Sequence, residues 1–148
     1  MQIELRRVAV RDRAAWEALY RGYAAFYAVD QTPDMRDRVW NWLMDDAHEV
    51  AGHVAVCSDG QLCGLAHVRP FARPLAASTG LFLDDLFVDS TARGQGVADA
   101  LILHLADLAR AQGHSVLRWI TADDNARARR VYDRHARKID FATYDLAL

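Results

Sequence analysis

Lysine is almost absent from this chain of 148 residues, in which Lys138 is the only one. A phosphate loop of the Walker type needs Gly-Lys followed by Ser or Thr after a glycine-rich turn. Lys138 stands in no such context, because Arg137 precedes it and Ile139 follows it. The scarcity of lysine therefore excludes the Walker class of nucleotide-binding sites.

Cysteine is also scarce, with Cys57 and Cys63 as the only two. They flank Asp59-Gly60, a dipeptide typical of tight hairpin turns, between two apolar runs. In a hairpin with a two-residue turn, Cys57 would lie opposite Leu62, so the two thiols would point to opposite faces of the strands. This spacing predicts no disulfide and a packing role for both cysteines.

Long apolar runs are missing as well. No stretch approaches the roughly 18 residues that a membrane-spanning helix needs, and the start of the chain lacks a signal-peptide pattern. The net charge of -2 argues against broad nucleic-acid binding. We therefore expect a cytoplasmic protein without a membrane or nucleic-acid partner. Since 52% of the residues are hydrophobic and no repeat or linker interrupts them, residues 1–148 are predicted to form one domain.

The most informative segment is Arg93–Ala98, which reads Arg-Gly-Gln-Gly-Val-Ala. It follows a strand-like apolar run at 80–88 and opens a helix whose apolar residues recur at helical spacing. Glycines at such a junction let the backbone approach a ligand, and the free N–H groups of the first helical turn favour an anion. This pattern predicts a diphosphate site. A dinucleotide fingerprint is a weak alternative, because Asp99 stands where its third glycine would be.

Three motifs together resemble those of the GNAT acetyltransferase superfamily. Arg93, Gly96 and Ala98 are placed as in that family's coenzyme A pyrophosphate loop. The earlier Leu-Asp-Asp-Leu-Phe-Val at 83–88 and the later Asn-x-x-Ala-x-x-Val-Tyr at 125–132 are similar to its other motifs, in the same order. The resemblance implies an α/β fold of the GNAT type, with a mixed central sheet splayed in the middle and helices on both faces.

The order of predicted elements is similar to that family along nearly the whole chain. The pattern of apolar residues, turn residues and helix caps predicts a strand at 2–8, a helix from Asp12 to Tyr27, a helix starting at Thr32-Pro33, strands at 51–57, 62–69 and 80–88, a helix at 94–111, a strand at 116–120, a helix at 125–136 and a last strand near 140–147.

The resemblance implies acetyl-CoA as the cosubstrate and no role for a metal. The pantetheine arm would pair like an added strand with the backbone of Phe87 and Val88. Asn125 would hold this arm from the last helix, where Arg129 and Tyr132 share its face. The diphosphate would lie on the N–H groups around Gly94, Gln95, Gly96, Val97 and Ala98, with Arg93, Arg127, Arg129 and Arg130 available to its charge. A solvated surface charge is the ordinary alternative for each of the last three arginines.

The reaction expected of this family is direct transfer of an acetyl group from a thioester to an amine. Deprotonating a lysine-like ammonium at neutral pH costs on the order of 4 kcal/mol, so a base or a water relay is needed. Asp84 matches the base of the spermidine/spermine type, and its short side chain favours action through water. Strand alternation would send Asp85 to the opposite face, in a structural role, unless a bulge intervenes. Tyr132 would be the acid for the departing thiolate.

The end of the chain has the pattern Ala136-x-x-x-x-Phe141-x-x-Tyr144, which resembles a subgroup with amine, polyamine or protein-lysine acceptors and with homodimers. Several side chains could attract or surround a cationic acceptor: Asp45, Asp46, Asp84, Asp123, Tyr27, Trp40, Trp42 and His67. Packing or solvation is the ordinary explanation for most of them when each is taken alone. A non-catalytic acetyl-CoA sensor stays open, and a nucleotide-binding regulator is a more distant alternative. A sensor needs neither Asp84 nor Tyr132, which favours the enzyme.

Overall fold

The computed structural model describes residues 2–148, which form one five-stranded sheet flanked by helices. The strands are β1 (Glu4–Arg7), β2 (Ala51–Val56), β3 (Leu62–Arg73), β4 (Ser78–Val88) and β5 (Leu117–Arg118). The helices are α1 (Arg13–Phe26), α2 (Pro33–Met44), α3 (Val97–Ala111) and α4 (Ala126–Asp133). The strands lie in chain order, antiparallel from β1 to β4, whereas β5 runs parallel to β4.

Two apolar clusters place the helices on opposite faces of the sheet. On one face, Trp16 of α1 and Leu43 of α2 pack with Leu65 of β3. On the other face, Leu101 of α3 packs with Ala66 of β3. Because adjacent residues of a strand point to opposite faces, Leu65 and Ala66 belong to different layers. The predicted mixed sheet with helices on both faces is therefore confirmed.

The helices begin where their capping residues are. Thr32 accepts a hydrogen bond from the backbone N of Met35 at 3.2 Å, and Pro33 occupies the first turn of α2, as predicted. Helix α3 starts at Val97, so residues 94–96 form the turn that leads into it and not its first turn. Among the helices of residues 2–148, none has both the length and the apolar composition for crossing a membrane.

Strand β4 extends well beyond its neighbour β5. The two strands pair only through Leu81 with Leu117 and Phe82 with Arg118. Residues 83–88 continue β4 without a pairing to β5, so the edge of β4 that faces β5 is open there. The predicted splay in the middle of the sheet is present, and it exposes the backbone of the Leu-Asp-Asp-Leu-Phe-Val motif.

A bulge in β4 changes the direction of the acidic pair. His67 pairs with Asp85 but Val68 pairs with Leu83, so Asp84 is an extra residue without an opposite partner. Both carboxylates bond to β3 side chains that lie two residues apart, Asp85 to His67 and Asp84 to Arg69, and hence on one face of the sheet. The prediction that Asp85 points away from Asp84 is wrong, because simple alternation does not hold at a bulge.

Cys57 and Cys63 form a disulfide, with their Cα atoms 6.0 Å apart. The sequence prediction of separated thiols is wrong for the same kind of reason. Val56 pairs with Leu62 while Ala55 pairs with Gly64, so Cys63 is an extra residue that the register skips. This bulge turns its side chain toward Cys57. Since disulfides are rare in cytosolic proteins, the bond gives no support to the expected cytoplasmic location.

The final strand predicted near 140–147 is absent, and residues 139–148 have no regular secondary structure. The side chains of Phe141, Tyr144 and Leu146 are 84%, 90% and 86% exposed. An alternating pattern marks a potential strand, but a strand also needs a partner edge and an apolar surface. In the structure this segment pairs with no strand, and these side chains stay uncovered.

Candidate active site

A cavity of about 420 Å³ opens where the free end of β4 meets the start of α3, with α4 opposite and the end of α1 at one side. Its lining consists of Tyr23, Phe26, Tyr27, Leu86, Phe87, Val88, Ala92, Arg93, Gly94, Gly96, Val97, Ala98, Asp99, Asn125, Arg127, Ala128, Arg130, Val131, Tyr132 and Arg134. Most of the site residues predicted from the sequence are thus brought together in one place. Asp84, Gln95 and Arg129 do not line the cavity.

The glycine turn before α3 presents bare backbone to the cavity. Gly94 and Gly96 have φ angles of +77° and +80°, a left-handed backbone conformation that residues other than glycine rarely adopt. A Cβ atom added to either residue would meet no atom within 4 Å, so the space in front of the turn is open. Gly96 caps α3 without a side-chain hydrogen bond, which leaves the first N–H groups of the helix free for a ligand. This cradle fits a phosphate group.

Arginines supply positive charge around the cradle, and those that line the cavity are Arg93, Arg127, Arg130 and Arg134. The guanidinium of Arg93 lies 5.7 Å from the ring centre of Phe87, which holds it at the end of β4. Arg129 instead donates from Nη1 to the backbone carbonyl of Asp123 at 2.7 Å. The side chains of Arg127 and Arg130 are therefore better placed for an anion than that of Arg129.

An ion-pair cluster ties α4 to α3 at the edge of the cavity. Nη2 of Arg134 lies 3.0 Å and 2.9 Å from the two carboxylate oxygens of Asp99, and Nε2 of His135 lies 2.6 Å from Oδ1. Asp99 lies in the first turn of α3, where its negative charge interacts favourably with the positive end of the helix dipole. Asp99 is thus already matched by basic partners, so it does not oppose an anion at the glycine turn.

Asn125 and Tyr132 face the cavity from the two ends of α4. Asn125 also caps that helix, because its Oδ1 accepts from the backbone N of Ala128 at 3.3 Å. The ring of Tyr132 packs edge-on against Trp119, with 5.4 Å between ring centres. Burial, together with the nearby phenol of Tyr27, raises the pKa of Tyr132 to about 12. At neutral pH its hydroxyl therefore remains a proton-bearing hydrogen-bond donor.

Asp84 lies at the bulge and keeps contact with solvent. Nε of Arg69 donates to its Oδ2 at 2.9 Å, and the Asp84 side chain is 33% exposed. Burial raises the pKa of Asp84; the hydrogen bond and charge of Arg69 act against this, but the net direction is upward. A carboxylate with a raised pKa and access to water is suited to accept a proton.

Asp85 is in a different environment although it is the next residue. His67 Nδ1 lies 2.7 Å from its Oδ2, and the hydroxyl of Tyr20 donates to the same oxygen at 3.1 Å. Burial opposes ionisation of Asp85, but the hydrogen bonds from His67 and the tyrosines outweigh it and lower the pKa of Asp85. Trp16 completes this network by donating from Nε1 to Nε2 of His67 at 3.0 Å. Asp85 is thus a held anion with little basicity.

The sequence did not identify Tyr20 and Tyr23 of α1 as site residues. Tyr20 bonds Asp85, its ring lies 6.1 Å from that of Tyr23, and Tyr23 lies 6.0 Å from Phe87 at the cavity. Burial raises the pKa of both Tyr20 and Tyr23, and the charge of Asp85 adds to this. The stripe at positions 16, 20, 23 and 27 was a usable signal, because a hydroxyl on the packing face of a helix needs a polar partner.

Several residues proposed for the acceptor pocket lie elsewhere. Tyr27 lines the cavity, but Trp40 is buried with Trp16 in the core between α1 and α2. Trp42 stacks on His48 with 5.0 Å between ring centres. Asp45, Asp46 and Asp123 do not line the cavity. None of the acids considered for a cationic acceptor lines the cavity, and Asp84 lies on β4 two residues before Leu86, which does.

Comparison with known proteins agrees with this geometry. The model of the acetyltransferase (GNAT) family matches residues 16–136. The chain is 25% identical to the D-amino-acid N-acetyltransferase HPA3 of Saccharomyces cerevisiae, over 97% of this chain and 89% of that relative. A solved structure of a probable acetyltransferase superposes with a TM-score of 0.84 at 25% identity, covering 100% of this chain and 98% of the other.

The fold is also shared with the ribosomal-protein-alanine N-acetyltransferase of Brucella melitensis biovar Abortus 2308, with a TM-score of 0.82 at 24% identity, covering 99% of this chain and 100% of the other. The family model matches well over half of the chain, from the first turn of α1 to the residues after α4. The chain therefore belongs to the GNAT family and is an acetyltransferase.

Proposed function

We propose that this enzyme transfers the acetyl group of acetyl-CoA directly to a primary amine of a small molecule, a polyamine or a lysine side chain. The observation that carries the proposal is the cavity in which an uncapped helix start, an open strand edge and the phenol of Tyr132 meet. Each of these features matches a different part of one ligand: a diphosphate, an amide-containing arm and a thioester.

Different residues of the cavity fit successive parts of the acetyl-CoA molecule. The N–H groups after Gly96, with Arg127 and Arg130, would hold the diphosphate. The free edge of β4 at Phe87 and Val88 would pair with the pantetheine amides as an added strand does. When bound, acetyl-CoA supplies the thioester from which the acetyl group is transferred. Asn125, which lines the cavity at the start of α4, would hold the pantetheine arm from that side.

Asp84 is the proposed base. Its raised pKa brings its basicity closer to neutral pH, and its partial exposure lets a water molecule bridge to an amine in the cavity. Because Asp84 does not itself line the cavity, we assign it the relay role through water. Asp85 is less suited to this role, since its Oδ2 accepts from both His67 and Tyr20 and these hydrogen bonds lower its pKa.

Tyr132 is proposed to stabilise the departing thiolate by hydrogen-bond donation. With a phenol pKa of about 12 and a thiol pKa near ~8.5, complete proton transfer would be uphill by roughly 5 kcal/mol. Donation without full transfer avoids this cost and still favours the developing negative charge. Burial therefore suits Tyr132 to act as a donor more than as an acid that gives up its proton.

We propose that the acceptor is cationic. The carboxylates of Asp84 and Asp85 lie on one face of the sheet, where their negative charge would attract an ammonium group. Arg69 supplies a positive charge beside this acid. Its guanidinium is paired with Asp84, and its side chain is 35% exposed and open to a second anionic group. A free amino acid would place its ammonium near Asp84 and its carboxylate near Arg69. The yeast relative is named for D-amino acids, which is consistent with such an acceptor. We also propose that the enzyme acts as a homodimer.

The test is a screen of amines for coenzyme A thiol release from acetyl-CoA. Polyamines, lysine peptides and amino acids of both configurations are compared with the decarboxylated amine of each amino acid. Turnover with at least one class supports the proposal, and a preference for amino acids over their decarboxylated forms implicates Arg69. A melting-temperature rise with acetyl-CoA but no turnover with any amine would instead indicate a non-catalytic sensor.

A further inference from the structure

Two arginines and a phenylalanine form a row across three strands of the sheet. Arg69 of β3 pairs with Phe82 of β4, and Phe82 pairs with Arg118 of β5. Residues paired directly across neighbouring strands point to the same face of a sheet. It is the face on which Arg69 bonds to Asp84, so this arginine row lies next to the acid proposed as the base.

Aromatic rings hold both guanidinium groups of the arginine row. The guanidinium of Arg69 lies 4.9 Å from the ring centre of Phe82. That of Arg118 lies 5.3 Å from the ring centre of Phe71, which packs edge-on against Phe82. Gly80, opposite Phe71, leaves the space for this ring, because a Cβ atom there would overlap it. A guanidinium stacked on a ring keeps its N–H groups available for a planar anion.

The positive charge of this surface is only partly matched by acids. Asp84 forms an ion pair with Arg69. Among residues 2–148, Arg118 has no ion-pair partner. Arg73 of β3 shares the face and donates to the hydroxyl of Ser115 at 2.7 Å, not to an acid. The surface is therefore locally positive although the whole chain has a net charge of -2, and it favours an anionic ligand.

The arginine row lies just outside the surface that α1 covers. Tyr20 of α1 bonds to Asp85, whose strand partner His67 lies two residues before Arg69 on β3. The side chain of Arg69 is 35% exposed, and Arg118 is also partly exposed. The row is thus open to a ligand that enters from solvent beside the acidic pair.

The spacing between Asp84 and Arg118 selects the length of such a ligand. Asp84 lies two residues after Phe82 on β4, and Arg118 lies one strand away from Phe82. With a rise of about 3.3 Å per residue and about 4.8 Å between strands, the two backbone positions are on the order of 8 Å apart. An α-amino acid carries its amine and carboxylate on one carbon, about 2.5 Å apart, whereas two extended residues span roughly 7 Å. A ligand that bridges the two positions needs a spacer of about that length.

We propose that Arg118, together with Arg69, binds the carboxylate of the acetyl acceptor, and that this acceptor is a small molecule with a spacer between carboxylate and amine, an ω-amino acid or a dipeptide. The proposal rests on the proposed acetyl transfer and narrows its acceptor. The guanidinium forks bind the carboxylate, the rings of Phe71 and Phe82 contact the spacer, and the amine reaches the site at Asp84. A polyamine is disfavoured, because its second ammonium would lie at Arg118.

Matched acceptors test the proposal with the unaltered enzyme. ω-Aminohexanoate is compared with hexylamine, and glycylglycine with its C-terminal amide, by kcat/KM for release of the coenzyme A thiol. The carboxylate should raise kcat/KM by about 10-fold to 100-fold, mainly through a lower KM, because its contact with a guanidinium contributes to binding. A gain in one pair identifies which spacer fits. No gain in either pair overturns the proposal.

Substitution of Arg118 gives an independent readout. Arg118→Gln should bring the ratio of kcat/KM between ω-aminohexanoate and hexylamine close to one. Arg110→Gln is the matched control, because it removes the same charge from a side chain that is 75% exposed on α3, and it should keep the ratio. A folded Arg118 variant that keeps the ratio overturns the proposal; if it fails to fold, the acceptor comparison decides alone.

The same acceptors separate this proposal from the proposed reaction. Turnover of the carboxylated and uncarboxylated amines at equal kcat/KM would leave acetyl transfer intact and remove the carboxylate site. No turnover of any amine would contradict acetyl transfer. In that case calorimetry with coenzyme A present still tests the site, since ω-aminohexanoate should bind more tightly than hexylamine, and equal affinities overturn the proposal.

Discussion

His67 and Asp85 are joined by a contact of 2.7 Å between Nδ1 and Oδ2, and the opposite ring nitrogen of His67 accepts from the indole of Trp16. An indole N–H can only donate, so Nε2 of His67 carries no proton and the ring is a neutral imidazole protonated at Nδ1. Asp85 is therefore an anion fixed by hydrogen bonds from β3 and α1. The bulge places Asp84 beside it on the same face but outside this network, and Asp84 is the member of the pair for which we propose the reactive role.

Asp85→Asn is expected to destabilise the protein by about 1–3 kcal/mol at pH 7, because an amide cannot replace an anion that accepts from two buried donors. The pKa of Asp85 is lowered on folding, so its contribution is present above its unfolded pKa near ~3.9 and is lost as pH falls through the folded value. The variant should therefore show less acid destabilisation than the wild type. Urea unfolding between pH 7 and pH 3 measures both effects. Asp46→Asn is the control, since Asp46 is 97% exposed; equal stability of the two variants would contradict the network.

Asp84→Asn is expected to lower kcat/KM by about 10²-fold to 10⁴-fold near neutral pH, with partial recovery as pH rises toward the pKa of the amine. A base matters only while the acceptor is protonated. Stability should change little, because Asp84 makes one partly exposed ion pair. A pH-independent loss would show that Asp84 has no role in proton removal.

Arg69→Gln tests the assignment of Asp84 as the base by changing its ion-pair partner. The charge of Arg69 holds down the pKa of Asp84, so its removal should move the acid limb of the kcat/KM profile to higher pH. The shift should be absent when Arg69→Gln is combined with Asp84→Asn. An unshifted limb in the single variant would place the base elsewhere. The profile is measured with an amine that has no carboxylate, so that lost substrate binding does not interfere.

Tyr132→Phe is expected to keep the affinity for acetyl-CoA and lower turnover about 10-fold to 10³-fold, since the ring stays but the donor to the thiolate is lost. Calorimetry and single-turnover rates separate the two effects. Tyr27→Phe removes another hydroxyl from the same cavity and should have a much smaller effect on the rate. Similar losses in both variants would mean that cavity polarity, not donation by Tyr132, is responsible.

Gly96→Glu is expected to abolish the rise in melting temperature that acetyl-CoA causes, because a carboxylate would occupy the space in front of the free N–H groups. Gly113→Glu is a matched control, since Gly113 has a φ of +81° and open space around it but lies at the other end of α3. Both variants share the same kind of backbone strain, of roughly 1–2 kcal/mol. Retained coenzyme A binding by the Gly96 variant would remove the diphosphate site from this turn.

Cys57→Ser is expected to lower the stability of the oxidised protein by about 2–3 kcal/mol, the value for a short closed loop. Reduction of the wild type should lower its melting temperature by a similar amount, and reductant should have no effect on the variant. Thermal unfolding with and without reductant measures both. Equal melting temperatures of the wild type in the two conditions would show that the bond adds no stability.

Local sequence patterns predicted the parts of the site that depend on neighbours along the chain. The turn at Gly94 and Gly96 and the helix that follows it come from one continuous stretch, so glycine geometry and helix termini were enough to predict the open turn for which we propose a diphosphate. The open edge of β4 was expected from the family resemblance. Asn125 and Tyr132 were placed together by helical spacing alone. The order of strands and helices up to α4 was likewise readable from apolar periodicity and capping residues.

Only the tertiary structure decided the features that depend on pairing between distant residues. The skipped residues in the registers of β3 and β4 bring Cys63 to Cys57 and Asp84 to the face of Asp85, and strand alternation has no means of indicating where a register will skip. The network of Trp16, His67 and Asp85 joins three elements, so no local pattern contains it. The alternating residues near 140–147 predicted a strand, but a strand exists only where an unpaired edge accepts it, and that depends on which surfaces the folded chain leaves open.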